Sequence, residues 1–314
     1  MATAVRETGP PPVGTMDTAT NEPPLGRRLL AEFVGTLLLT AVGAGAAAAA
    51  LLGPLRRFGE LPPELQQQPG NDITFRALLG NSPADLVPVA LAFAAILAVL
   101  VYAFGGVSGG HFNPAVSFAL AISNRFRWAH LIPYWVAQAI GGIAGAFIVA
   151  AMFKNPDLAE GTDVLFGATT VASGVGWPQA LLAEAFLTFI LMTAIMAVAI
   201  DPRAPKGWSG WIIGLALAGG ILVVGPLTGG SANFARSLGP FVAALAFGAD
   251  NVPWGDLAWY AAGPIIGAAA AALVYESLTG LIKPAVPIPE PGPSPEPGAA
   301  TTEGTTPPDA QRYQ

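Results

Sequence analysis

The chain has 314 residues, 53% of them hydrophobic and only 11% charged, about half the charged share with which a soluble domain covers its surface. A net charge of −6 gives no basic face for a nucleic acid. The absence of cysteine excludes disulfides and thiolate metal sites, and His111 and His130 come without a ligand set. The missing charge coincides with long Ala, Gly, Leu, Val and Ile runs at spanning length, the mark of a membrane chain rather than a soluble protein with buried helices.

In chain order, residues 1–26 are polar and Pro-rich and are predicted to be a disordered cytoplasmic N-terminus. Arg27 and Arg28 read as anchors of a retained first helix, not as part of a cleaved signal. Six spans are predicted, over about 29–52, 85–106, 131–153, 178–200, 208–224 and 257–278, each with roughly the 20 residues that cross a 30 Å hydrocarbon core. Between the first two spans lies an extended outer loop, 53–83, and a tight polar turn at 201–207 joins the fourth and fifth. Residues 281–314 read as a disordered Pro-rich tail. Arg27, Arg28, Arg125, Arg127, Arg203 and Lys206 all fall on one side if both termini are inside, so the positive-inside bias predicts cytoplasmic termini. The all-helical spans favour a plasma membrane.

An internal repeat sharpens this picture. Residues 108–117 read SGGHFNPAVS and residues 228–237 read TGGSANFARS, the same frame 120 residues apart. EFVGT from Glu32 likewise answers EAFLT from Glu184, and Gln138 with Gly141-Gly142 answers Pro264 with Gly267-Ala268. With three spans per half, about 27–153 and 178–280, the second copy enters the membrane from the opposite side. That is an inverted repeat, whose site is expected at the midplane.

Each repeated segment is too short and too rich in Gly and Asn to span. The apolar parts, Ala115–Ile122 and Ala235–Phe247, suit half-helices. Asn113 and Asn233 stand at N-cap positions, with Pro114 at N1 of the first. Two such helices entering from opposite faces bring their positive ends together near the bilayer centre. Carbonyls of the preceding Gly-Gly stretches must then line a polar cavity or meet internal donors, because hydrocarbon offers none. Together these features imply a water-filled path in which the Asn amides donate to passing oxygens. Glu32 and Glu184 are carboxylates inside spans, each at the same place in its half. They are predicted to hold the re-entrant loops, with His111 and Gln138 in the same role; proton relay is the alternative.

These motifs resemble the aquaporin and aquaglyceroporin (major intrinsic protein) family. AEFVGT, SGGHFNPAVS, AEAFLT and GGSANFARS carry the resemblance, which covers residues 27–280. It implies an all-α fold of six transmembrane helices plus two re-entrant half-helices. It also implies a homotetramer in membrane lipid, each subunit passively conducting water and small neutral solutes such as glycerol, without cofactor, metal, nucleic acid or catalysis. By spacing, the family's outer constriction falls on Phe93, Ile221, Gly230 and Arg236, similar to the archaeal-type subgroup. Ile221 stands where strict water channels carry His, which implies a wider, oilier passage. Ser237 stands where glycerol channels carry Asp, and Tyr260-Ala261 fits neither pattern. One departure is Phe234, with Asn233 and Ala235 around it, in place of the second signature's proline. Its ring is expected to point away from the file. The contrary reading is an occluded or gated protein with a mainly structural role, for which Phe234 and the 53–83 loop are the supports.

Overall fold

The computed structural model describes residues 23–58, 83–153, 166–249 and 251–281, with side chains for these except 51–58 and 83–85. Most of the predicted N-terminal segment, nearly all of the tail, most of the 53–83 loop and residues 154–165 of the connection that follows the third span lie outside the described residues.

Helices account for most of the described chain. They are α1 (Leu25–Phe58), α2 (Pro83–Ser108), α3 (Pro114–Ile122), α4 (Trp128–Phe153), α5 (Trp177–Ile195), α6 (Ser209–Thr228), α7 (Phe234–Ala246) and α8 (Leu257–Thr279). A π-helical turn, Met196–Ile200, continues α5, and no strand occurs among the described residues. Six of these helices are long and apolar enough to cross a membrane, whereas α3 and α7 are half-length. Left-handed glycines stop two spans: Gly229 at φ 77° after α6 and Gly280 at φ 69° after α8.

Two boundaries depart from the sequence reading. Helix α1 continues to Phe58 through Gly53-Pro54, and α6 continues to Thr228 through Gly225-Pro226. The predicted spans end just before these pairs, at 52 and 224, but an internal proline removes only one helical bond and is tolerated in apolar spans.

Packing repeats the sequence symmetry. Helix α1 packs on α4 as α5 packs on α8, α1 on α2 as α5 on α6, and α4 on α7 as α8 on α3, while α2 meets α6 across the pseudo-axis. Glycines set the closest approaches. A Cβ on Gly141 would sit 2.3 Å from the Phe33 carbonyl oxygen, and one on its counterpart Gly267 would sit 2.0 Å from that of Ala185. Large apolar side chains such as Ile132, Leu182, Ile140 and Val223 cover the lateral surface, as lipid contact requires. The fold is an all-α, six-span bundle with two half-helices inside it. Leu25, Arg125, Arg203 and Thr279 mark one end, called here the terminal face, with Arg203 Nη1 3.5 Å from the Thr279 carbonyl.

Candidate functional site

Helices α3 and α7 point their N-termini at each other. Asn113 Oδ1 accepts from Ala115 N at 2.9 Å, capping α3. Asn233 Oδ1 accepts from Ala235 N at 3.0 Å and Arg236 N at 3.3 Å, capping α7. The amide groups then cross over: Asn113 Nδ2 donates to the Ala232 carbonyl at 2.7 Å, and Asn233 Nδ2 to that of Phe112 at 2.8 Å. Each amide therefore has one N–H committed to the opposite loop and one remaining.

The carbonyls that accept these bonds belong to left-handed residues, Phe112 at φ 47° and Ala232 at φ 55°, a conformation disfavoured for any residue with a Cβ. Two buried carboxylates hold them there. Glu32 Oε2 accepts from Phe112 N at 2.7 Å and Gln138 Nε2 at 2.8 Å, and its Oε1 from Ser108 Oγ at 2.6 Å and His111 N at 3.0 Å. Glu184 repeats this with Ala232 N at 2.7 Å, Thr228 Oγ1 at 2.6 Å and Ser231 N at 3.0 Å. No counterpart of Gln138 exists, since Pro264 stands there. The His111 ring is tied through Nδ1 to Ser117 Oγ at 3.0 Å, which also accepts from Gln138 Nε2 at 3.0 Å.

A cavity of about 490 Å³ leads from the terminal face to this junction. Ile200, Lys206 and Ser209 line its wide end; Asn113, Asn233, Phe93 and Arg236 line its inner end. Its walls are apolar apart from these groups, His111, and the loop backbone at Gly109, Gly110 and Ser231. Arg236 is buried; its guanidinium carbon lies 4.9 Å from the Phe93 ring centre, and Nη1 donates to the Gly167 carbonyl at 3.3 Å. Its Nε is buried without a hydrogen bond among the described residues. Ile221 and Gly230 face each other, a Cβ on Gly230 falling 3.3–3.5 Å from Ile221 atoms, but neither is among the cavity's walls. Phe234 does not line the cavity either. With Pro114, Ala115 and Trp135 it borders a separate apolar recess of about 350 Å³.

Several residues of this site escaped the sequence reading. Tyr134 and Tyr260 donate to the Ser108 and Thr228 carbonyls at 2.8 and 2.7 Å, closing the ends of α2 and α6 in equivalent ways. Both lie four residues before the matched pair Gln138 and Pro264, so the repeat itself was the signal. Thr169, bonded to Ser237, gave no signal at all.

At the terminal face, Asp201 accepts from Arg203 through both side chain and backbone and from Tyr275 Oη at 2.9 Å. The Arg203 guanidinium holds its carboxyl well below the usual carboxylate range. Arg125 pairs with Glu276 in a largely buried contact and donates to the Leu281 carbonyl at 2.7 Å; burial lowers its guanidinium's affinity for the proton.

Residues 19–275 match the profile of the family described as "Major intrinsic protein". "Aquaporin AqpM" of Methanothermobacter thermautotrophicus is 40% identical over 255 residues, covering 81% of this chain and 98% of that one. "Probable aquaporin AqpM" of Archaeoglobus fulgidus is 39% identical, covering 81% and 97%, and "Aquaporin TIP2-1" of Arabidopsis thaliana is 35% identical, covering 79% and 86%. Among solved structures, the aquaglyceroporin from Plasmodium falciparum superposes with a TM-score of 0.63 over 82% of this chain and 99% of that one, at 20% identity, a likeness of fold.

Proposed function

The chain belongs to the major intrinsic protein family, and on that premise we propose that it is a passive membrane channel for water and small neutral solutes such as glycerol, closed to ions and protons. Membership makes it a membrane-embedded channel rather than an enzyme. The observation that carries the solute class is the cavity itself. It is apolar along most of its length, meets two asparagine amides at the junction of two helix N-termini, and reaches one buried arginine.

The physical reading runs inward from the terminal face. Apolar walls offer a single file of water few partners, so transit is fast. At the junction, the uncommitted N–H of Asn113 and of Asn233 donates to a water oxygen, and that water must point its hydrogens outward. A chain of hydrogen bonds that reverses polarity there cannot pass a proton along. Each helix end adds roughly half a positive charge, and Arg236 adds a whole one, so cations meet a barrier in a low-dielectric wall. Phe93, Ile221, Gly230 and Arg236 form the constriction in this reading. Ile221 and Gly230 leave its other side apolar and small, which suits a carbon backbone facing them and hydroxyls facing Arg236.

Phe234 lies outside the cavity, which supports an open path. The working form is a homotetramer with one pore per subunit, in a plasma membrane with both termini cytoplasmic; the Arg and Lys residues of the terminal face support that orientation. Glu32, Glu184, Gln138 and His111 act as loop anchors, since the carboxylates' hydrogen bonds are already taken up by the loops. Stopped-flow light scattering on proteoliposomes, with water and glycerol gradients on one preparation, tests the proposal. Water flux well above empty liposomes is expected, with glycerol entry measurable. Folded protein conducting neither would refute it.

A further inference from the structure

Behind the constriction runs a line of hydroxyls that the proposed conduction path does not use. Thr169 Oγ1 lies 2.7 Å from Ser237 Oγ, which lies 2.5 Å from Ser231 Oγ, which donates to the Asn233 carbonyl at 2.9 Å. All three hydroxyl residues are buried. The Asn233 carbonyl can only accept, so Ser231 donates there; in the other two contacts either hydroxyl can be the donor.

The line closes a ring around Arg236. Ser237 is its chain neighbour, and Thr169 stands two residues after Gly167, whose carbonyl accepts from Arg236 Nη1. Gly167 is pressed against α1 on its other side: a Cβ there would lie 2.1 Å from the Ala44 carbonyl oxygen. The far end reaches Ser231, next to Gly230. Arg236 and Gly230, two of the four constriction positions, are therefore chain neighbours of Ser237 and Ser231, the two serines that this line ties together. In the first half of the repeat Ser117, the counterpart of Ser237, makes the equivalent contact with His111, the counterpart of Ser231, but its other partner is Gln138 of α4 where Ser237 has Thr169. Only in the half that carries the arginine does the clasp come from the segment that touches the arginine.

We propose that Thr169 and Ser237 are specificity-setting positioning residues, their hydroxyl clasp fixing the Arg236 guanidinium and the Gly230 turn at the width that discriminates glycerol from water. This rests on the proposed function, in which Arg236 and Gly230 form the constriction. A loosened guanidinium widens the passage, and a wider passage helps the larger solute more.

The test measures glycerol and water permeability of the full chain in proteoliposomes for T169V, S237A, T169S and R236V, and for T169V combined with R236V. Variants are compared at equal folded protein, judged by elution and thermal midpoint. T169V and S237A are expected to raise the glycerol-to-water ratio about fivefold, the equivalent of one hydrogen bond, while T169S, which keeps the hydroxyl, holds the parent ratio. R236V raises the ratio by itself, and adding T169V to it changes nothing more. A parent ratio in both T169V and S237A while R236V shifts it overturns the clasp, as does full additivity with R236V. If R236V leaves the ratio unmoved, the constriction reading fails, and this inference with it.

Discussion

Gly142 offers a sharp test of how α7 is held. A Cβ at this position would lie 2.2 Å from the Ala235 carbonyl oxygen. Ordinary contact begins near 3.4 Å, so Gly142→Ala forces α4 and α7 apart by about 1 Å or tilts one of them. The obstacle is backbone in the first turn of α7, and no rotamer change relieves it. Strain of this kind costs about 1–3 kcal/mol, and the same turn carries Arg236, so water flux per folded channel should fall as well. Gly219→Ala is the control: the helix type is the same and nothing lies within 4 Å of its Cβ, so it should be neutral or gain up to about 1 kcal/mol from helix propensity. Thermal unfolding of the detergent-solubilised protein, followed by intrinsic fluorescence, reads both. Should Gly142→Ala melt with the parent and with Gly219→Ala, the close crossing of α4 and α7 is not what holds the half-helix.

Three further outcomes are expected of the same structure. Glu184→Ala strips the acceptor from Thr228 Oγ1, Ser231 N and Ala232 N, and buried donors left alone cost about 1–3 kcal/mol each; a lowered thermal midpoint with lost conduction is expected, and an unchanged midpoint would show the loop is held otherwise. Asp201 has its folded pKa below its unfolded one, so its stabilising contribution is complete above about pH 4 and is lost only as pH falls through the lower folded value. Hydrogen exchange at the Arg203 amide, which donates to Asp201 Oδ1 at 2.9 Å, should stay protected from neutral pH to about pH 4 and lose that protection in Asp201→Ala, which removes the acceptor. For Arg125 and Glu276, with side chains 8% and 11% exposed, Arg125→Met alone should destabilise by roughly 2 kcal/mol, between the values for exposed and fully buried pairs. Adding Glu276→Leu should recover most of that, and a double variant as unstable as the two single ones summed would disprove the pairing.

The family and the all-α fold were legible because both rest on pattern: six apolar runs of spanning length and one frame repeated in opposed halves. The site residues were named from the same frame, but their connections were not. That Asn113 would donate to Ala232 rather than keep both hydrogens for the path is a fact of two loops meeting, and neither loop's sequence contains it. Tyr260 was read only as fitting neither the water-channel nor the glycerol-channel pattern, although its spacing from Gly267 matches that of Tyr134 from Gly141, which points to helix-end support. Thr169 was invisible for a plainer reason. It lies in a connection with no periodicity and its partner Ser237 is 68 residues away, so only the fold brings them together. Helix ends failed at Gly53-Pro54 and Gly225-Pro226, where local punctuation lost to the need of an apolar span to keep its backbone bonded.

The crossed amides also fix an order of events during synthesis. Asn113 finds its acceptor 119 residues later in the chain, and Asn233 finds its own 121 residues earlier. Until Ala232 has been translated and α7 has entered from its side, the first re-entrant loop has no permanent partner for its amide and no opposing helix end to meet. The centre of the channel therefore cannot close before the second loop exists, and a chain that ends before it holds one half of the crossed pair and no more.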